Sequence, residues 1–250
     1  MRSDAFITSI SEWAEQDDKF EQLKKGIPLG HDSVGNILFS QKREKPLMFR
    51  HTCVTGAGRG ECIRRLLLTL SCIYEKSEAT FLVLSPKTAY GELLRLRNID
   101  ATVPYIRTKS DLSLAVETLK ELLSQRSYGR GYPRLFLVLD GLEELPDCNR
   151  NGDLEEYREI FELITRRTDI DVISGADLMR SIFSGYPGAF VGVGNCLVTT
   201  REEGKADVTY VGDDASLSLP VPMCYPTEPS FMETVIYFNA LSAGASPDKV

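Results

Sequence analysis

A glycine-rich turn between an apolar strand and a helix is the stretch of this sequence best suited to chemistry. Strand, glycine-rich turn and helix in this order form the frame of a phosphate-binding loop, whose pattern is Gly-x-x-x-x-Gly-Lys-Ser/Thr. Backbone N–H groups of such a loop surround the phosphates, its lysine contacts the terminal phosphates, and its hydroxyl binds Mg²⁺. The residues aligned with this pattern are Thr55, Gly56, Ala57, Gly58, Arg59, Gly60, Glu61 and Cys62.

The side chains that would bind the nucleotide are replaced in this loop. Of the four fixed positions only Gly60 is kept, because Thr55 stands at the first glycine. Glu61 replaces the lysine and Cys62 replaces the hydroxyl. A carboxylate about 4 Å from a phosphate charge is repelled by roughly 4 kcal/mol at an effective dielectric constant of 20. A thiol is a soft ligand and suits Mg²⁺ poorly. The glycines still allow a nest of N–H groups, so the loop predicts a degenerate site with weak anion binding at most.

The overall composition predicts one large globular domain that does not bind nucleic acid. The chain has 250 residues, of which 42% are hydrophobic, and a net charge of −7. Nucleic-acid-binding surfaces need an excess of Lys and Arg, which this balance does not provide. The six cysteines form no C-x-x-C pair and indicate buried, reduced thiols of a cytosolic protein. His31 and His51 are isolated and predict no metal site.

The sequence shows no membrane-spanning or leader segment. The longest apolar runs, such as 66–70 and 136–139, are far too short to cross a bilayer. No long apolar core follows Arg2, Ser3 and Asp4. We therefore expect a cytoplasmic location, either as a separate protein or as the cytosolic domain of a membrane-associated complex.

Alternating strand and helix patterns surround the loop. Short apolar runs predict strands, and apolar residues at helical spacing predict helices that begin at Ser110 or Asp111 and after Asp153. The predicted strands are two around a turn in 27–39, then 49–54, 80–87, 134–140, 169–174, 189–193 and 196–200. Such alternation is typical of βαβ units and predicts an α/β fold with a mainly parallel central sheet flanked by helices.

Three regions are predicted along the chain. Residues 1–26 form an N-terminal helical segment, and residues 27–222 form the domain that contains the loop. Residues 223–250 form a C-terminal tail whose last helix, 231–241, packs on the core.

Several motifs resemble, in their order, those of the FtsK/SpoIIIE-type ATPase domain found in DNA translocases and type VII secretion motors. The resemblance covers residues 27–222. The motifs are a Gly-His-Asp-x-x-Gly turn at 30–35, the loop, a strand ending in Ser-Pro-Lys at 85–87, a strand ending in Asp140, and Gly-x-Gly-Asn-Cys-Leu-Val at 192–198. The resemblance implies a RecA-like P-loop NTPase fold.

The same resemblance implies that the chemistry of the motor is missing. Asp140 matches the aspartate that closes the second motif strand, but the water-activating glutamate that follows it in the family is here Gly141. The glutamine that senses the γ-phosphate would fall in 173–176 and has no match. We therefore expect no catalytic residue and no required cofactor, with ATP and Mg²⁺ bound weakly at most. Asp140 and the loop form the degenerate nucleotide site. Glu143 and Glu144 are the remaining acids that could replace the base, although a solvated acidic turn is the favoured interpretation.

Three functions are compatible with these observations. The favoured one is a pseudo-ATPase module of a type VII secretion-type motor, which docks on active FtsK-like ATPase domains or on secreted substrates. The second is a nucleotide-binding, weakly active ATPase completed by a neighbouring subunit. The third is a DNA translocase domain, which the acidic charge opposes. Two states of the loop also stay open: either only its side chains are changed, or Thr55 and Arg59 hold it in a closed shape.

Overall fold

The structure is a computed structural model that describes residues 24, 26–40, 50–88, 90–91, 96, 98–100, 106–126, 131–145, 155–165, 167, 169–175, 196–202, 204–210 and 218–225. Nearly all of the predicted N-terminal segment, Asp153, the predicted strand 189–193 and the predicted helix 231–241 lie outside these residues. None of the helices within the described part is both long and apolar enough to cross a lipid bilayer.

The described residues form one sheet and the helices that pack on it. The strands are β1 (Pro28–His31), β2 (Ile37–Phe39), β3 (Arg50–Gly56), β4 (Ala79–Leu84), β5 (Arg134–Leu139), β6 (Ile170–Gly175), β7 (Cys196–Thr200), β8 (Lys205–Tyr210) and β9 (Val221–Cys224). The helices are α1 (Arg59–Ile73), α2 (Lys109–Gln125) and α3 (Glu155–Thr165), with a 3-10 helix at Leu142–Glu144.

The sheet is mixed, with the order β2-β1-β9-β8-β7-β3-β6-β5-β4. The five strands from β7 to β4 are parallel, as the alternating pattern predicted. The other four pair in antiparallel fashion, so the expectation of a mainly parallel sheet holds only for this half. The strands β8 and β9 were not predicted. Strand β8 is a short run of alternating apolar and polar residues, and the proline in β9 argues against a strand. The predicted boundary at 222/223 falls inside β9.

Strand β5 lies at the centre of the core and is covered on both faces. Its residues from Leu135 to Leu139 are at most 2% exposed. Alternate side chains point to opposite faces of a strand. Phe136 and Val138 accordingly pack with the apolar side of α1, while Leu137 packs with α2 and α3. This two-sided burial explains why the strand has no polar residue between Arg134 and Asp140.

The N-terminus of α2 is capped by Thr108, so the predicted caps Ser110 and Asp111 were wrong. The Asp111 N–H donates a hydrogen bond to Thr108 Oγ1 at 3.2 Å. In return, the Thr108 N–H donates to the Asp111 carboxylate at 2.9 Å. This is a capping box in which the acid occupies the third helical position.

The end of β3 lies unusually close to the end of β7. Gly56 has φ +95°, and a Cβ atom added there would lie 2.2 Å from the carbonyl oxygen of Thr200. The Thr200 hydroxyl donates a hydrogen bond to the Thr55 carbonyl oxygen at 2.7 Å. Only glycine accommodates both this backbone conformation and this approach.

We expect Gly56→Ala to lower the free energy of unfolding more than Gly35→Ala does. Both glycines have φ near +90°, but a Cβ atom on Gly35 would meet nothing within 4 Å. The control should lose about 1–2 kcal/mol from backbone strain alone. Gly56→Ala should lose about 1–3 kcal/mol more, because β3 and β7 must separate. Urea denaturation of the two variants measures the difference, and equal losses would contradict the close approach of the strands.

Burial of His51 makes stability depend on acid pH. The imidazole is 2% exposed, and burial lowers its pKa from 6.5 to about 3. Between these values the unfolded chain takes up a proton that the folded chain does not, so falling pH favours unfolding by about 1.4 kcal/mol per unit. From pH 7 to pH 5 the parent should lose about 2 kcal/mol more than His51→Gln. Urea denaturation at both pH values measures this, with His31→Gln as the matched control. Equal losses for the parent and His51→Gln would contradict the interpretation.

Candidate functional site

Asp140 is the centre of a polar cluster at the carboxyl ends of the parallel strands. It directly follows β5 and is fully buried. Arg59 Nε lies 2.9 Å from its Oδ1 atom, and Lys87 Nζ lies 3.2 Å from Oδ2. The Tyr90 hydroxyl donates a hydrogen bond to Oδ2 at 2.9 Å. We call these four residues the Asp140 cluster. Oδ1 has no aligned hydrogen bond among the described residues, so the contact with Arg59 is mainly Coulombic.

The topology of the sheet brings these residues together. Strands β4 and β5 are parallel neighbours, so Lys87 and Tyr90, which follow β4, lie beside Asp140. Arg59 is the first residue of α1, three residues after β3 ends. Gly175 ends β6, which lies between β3 and β5. A Cβ atom on Gly175 would lie 2.5 Å from Asp140 Oδ1, so glycine is needed there for the pair to form.

Tyr90 acts in this cluster as a neutral hydrogen-bond donor. Burial raises the pKa of its phenol well above 10, and the negative charge of Asp140 raises it further. The phenol therefore stays protonated at neutral pH and donates to the carboxylate. The carboxylate of Asp140 is thus shared among two cations and one hydroxyl.

Glu144 closes the cluster on its solvent side. Its side chain is 53% exposed, and its Oε1 atom lies 3.3 Å from Lys87 Nζ. The same oxygen lies 3.8 Å from Arg59, so Lys87 and Arg59 each face two carboxylates. This arrangement is a half-exposed ion pair at an acidic turn, in line with the favoured interpretation of the sequence.

The position after Asp140 is shaped for glycine. Gly141 has φ +73° and stands before the 3-10 helix. A Cβ atom there would lie 2.5 Å from Cε of Lys87. A glutamate at this position would require a strained backbone and a displaced lysine.

The predicted loop is divided among three elements. Strand β3 continues through Gly56, and α1 begins at Arg59, so only Ala57 and Gly58 connect them. Gly58 has φ +84° and is the N-cap of the helix. Most of the eight aligned residues therefore have strand or helix conformation rather than forming a loop around a ligand.

Glu61 and Cys62 are both engaged away from the Asp140 cluster. The carboxylate of Glu61 pairs with Arg64 and, at 2.5 Å, with Nε of Arg65 on the same helix. Cys62 is fully buried in the core, and burial, followed by the charge of Glu61, raises its pKa to about 12. A thiol with this pKa stays protonated and is neither a nucleophile nor a good metal ligand at neutral pH.

Of the residues proposed from the sequence, the structure brings Arg59, Gly60 and Asp140 together. A Cβ atom on Gly60 would lie 3.7 Å from Asp140 Oδ2. Lys87, Tyr90 and Gly175 belong to the same cluster but were not among the predicted site residues. The signal for Lys87 was available, since it ends a motif that follows a parallel strand, and such ends meet at one edge of the sheet.

The described residues contain no group of three His, Cys, Asp or Glu side chains that could hold a metal ion. His51 Nε2 instead lies 2.6 Å from the Ser174 hydroxyl inside the sheet. Cys53, Cys62 and Cys196 are buried thiols, as the sequence indicated.

Comparison with known proteins places this geometry in a structural context. No protein-family model matches the sequence, and no curated protein matches it. Three solved structures are similar. The cytoplasmic domain of the Thermomonospora curvata type VII secretion ATPase EccC matches with a TM-score of 0.57 and 14% identity, over 82% of this chain and 26% of that one. ATPases 2 and 3 of EssC from Geobacillus thermodenitrificans match with a TM-score of 0.55 and 13% identity, over 87% of this chain and 48% of that one. ATPases 2 and 3 of Thermomonospora curvata EccC, in complex with a signal sequence peptide, match with a TM-score of 0.55 and 13% identity, over 82% of this chain and 41% of that one.

The chain thus spans between about a quarter and a half of these structures. At 13–14% identity the likeness concerns the fold. The fold of this chain is similar to that of the ATPase domains of these type VII secretion ATPases, in agreement with the resemblance seen in the sequence.

Proposed function

We propose that this domain is a non-catalytic, FtsK/SpoIIIE-like module that acts through protein interaction in a type VII secretion-type motor. The observation that carries the proposal is the contact between Arg59 and Asp140. The arginine comes from the loop that should hold phosphate, and its guanidinium lies 2.9 Å from the carboxylate that should face the metal.

The residues around Asp140 fit a magnesium–nucleotide complex poorly. Mg²⁺ demands six oxygen ligands in near-ideal geometry, and it is bound through carboxylates and phosphates. Arg59 and Lys87 already lie against the two oxygens of Asp140. The thiol of Cys62 is in the core, and the carboxylate of Glu61 would repel a phosphate. We therefore assign no cofactor and no catalytic residue to this site.

Among the two states left open by the sequence, we favour the remodelled loop. If only side chains had changed, the loop backbone would remain free to surround a phosphate. Here β3 and α1 are joined by Ala57 and Gly58, and Arg59 closes the gap toward Asp140. The side chain of Arg59 is only 12% exposed, so it fills this space rather than extending into solvent.

Protein partners are the class of ligand that remains. One similar structure, that of ATPases 2 and 3 of EccC, is in complex with a signal sequence peptide, which supports a protein ligand for this chain. We propose that this module recognises such substrates or docks on active FtsK-like ATPase domains, in the cytoplasm. The parallel half of the sheet, with β3 between β7 and β6, is compatible with the RecA-like P-loop class, which we also propose.

A nucleotide-binding, weakly active ATPase is the second candidate, and Lys87 is the observation in its favour. Its side chain is 23% exposed and its ammonium group lies beside Asp140, so it is positioned to contact a phosphate if Arg59 moved away. Gly58 and the N-terminus of α1 would then offer backbone N–H groups.

Nucleotide binding separates the two candidates. We expect millimolar Mg-ATP to leave the melting temperature of the parent unchanged and to give no heat in calorimetry. The double variant Glu61→Lys, Cys62→Ser should still not bind ATP, because Arg59 still closes the site. Adding Arg59→Ala should produce binding, and at 100 times the dissociation constant the gain in stability is about 2.7 kcal/mol.

The matched control adds Arg64→Ala instead, which removes an arginine from the same helix without opening the Asp140 cluster. Circular dichroism verifies that each variant is folded. Micromolar binding by the parent would favour the weakly active ATPase. Binding by the double variant would show that only side chains had been changed, and binding by the control would reject the role of Arg59.

The domain by itself should not bind DNA. With a net charge of −7, it lacks the excess of cations that releases counterions from a duplex. We expect no gel retardation of a 30-base-pair duplex by low-micromolar protein at about 0.15 M salt. Retardation that weakens steeply as salt rises would instead support a translocase.

A further inference from the structure

A second polar site lies between α2 and α3, away from the Asp140 cluster. It is a surface pocket of about 370 Å³. Its walls are formed by Ser113, Leu114, Glu117, Glu156 and Glu159. The first three belong to α2 and the other two to α3, so the packing of the two helices forms the pocket.

Glu156 is the buried carboxylate of this pocket, and one of its oxygens has no partner. The residue is 9% exposed. Its Oε1 atom accepts a hydrogen bond from the Ser113 hydroxyl at 2.9 Å, and Lys109 Nζ lies 3.7 Å from the same oxygen. Its buried Oε2 atom has no hydrogen-bond partner among the residues that the structure describes. Buried carboxylate oxygens are normally satisfied, so this atom marks a place where a donor is missing.

The charges of the pocket do not balance either. Lys120 is shared between two carboxylates, those of Glu117 at 2.6 Å and of Glu159. Lys109 is the remaining cation near Glu156 within the described residues; its side chain is 46% exposed and reaches only one oxygen at long range. Among the described residues, three carboxylates thus face two ammonium groups, so this part of the pocket has an excess of negative charge.

An apolar side chain stands beside this charge. Leu114 is 56% exposed, although it lies on a helix whose other large apolar residues mostly face the core. A carboxylate next to an exposed leucine suits a side chain with an aliphatic stem and a cationic head, because the stem covers apolar surface while the head donates hydrogen bonds.

We propose that this pocket binds a lysine or arginine side chain presented by a partner protein. The cationic head pairs with the carboxylate of Glu156, whose buried Oε2 atom must first turn toward the pocket, and the aliphatic stem lies on Leu114. A neutral polar side chain would satisfy the oxygen but not the charge. A metal ion is disfavoured, because the described residues gather no group of three metal-ligating side chains. The inference does not depend on whether the Asp140 cluster binds nucleotide.

The test uses N-acetyl-arginine amide and N-acetyl-lysine amide as probes in an NMR titration of the ¹⁵N-labelled chain. We expect saturable shifts of the amides of Ser113, Leu114 and Glu156 with at least one of the two probes. N-acetyl-citrulline amide has nearly the same shape as the arginine probe without the charge and should produce no saturable shift. Glu156→Gln should weaken binding at least tenfold, which corresponds to about 1.4 kcal/mol.

Glu121→Gln is the matched control, because this exposed glutamate of α2 lies outside the pocket and its replacement changes the net charge equally. It should leave the affinity within about twofold. If Glu156→Gln does not fold, Leu114→Ser provides the test, since an exposed position tolerates the change and binding should still fall several-fold. Absence of saturable shifts with both cations overturns the proposal. Equal binding of citrulline, or equal effects of the Glu156 and Glu121 variants, does so as well.

Discussion

The burial of one carboxylate governs the arrangement of the Asp140 cluster. Asp140 is inaccessible to solvent at the end of the most apolar strand, and a buried charge without a partner is costly. Removing one partner of such a pair typically costs about 3–5 kcal/mol. The chain meets this demand with its own cations, Arg59 and Lys87. In a working nucleotide site the opposite charge would come from the metal, so the same acid can be satisfied in two ways.

Several residues that are far apart in the sequence allow these two cations to reach Asp140. Arg59 reaches Asp140 because α1 begins immediately after a two-residue turn, and because Gly175 leaves room beside the carboxylate. Gly141 leaves room for Lys87 in the same way. The loop carries neither the lysine nor the hydroxyl of the phosphate-binding pattern. Its Arg59 instead forms an ion-pair cluster with Asp140, which also pairs with Lys87, at the end of the sheet.

The pocket at Glu156 shows the contrasting case. Its carboxylate is also largely buried, yet one oxygen has neither a cation nor a hydrogen-bond donor. One acid is therefore satisfied from within the chain, while the other leaves a donor to be supplied from outside. The two sites lie on different elements, since the pocket is built on α2 and α3, so a partner can occupy one without affecting the other.

The sequence by itself determined the parallel half of the sheet, the helices on its two faces and the degenerate character of the loop. Apolar runs such as Leu135–Leu139 and the turn glycines express local preferences that do not depend on distant residues. Tertiary structure decided the antiparallel half, because the short strand β8 pairs onto β7, and β9 joins β8 to β1 despite its proline. Tertiary structure also decided which carboxylate Arg59 contacts. Which carboxylate an arginine meets depends on the order of strands in space, and β6 brings Gly175 between β3 and β5 from a position more than a hundred residues away in the chain.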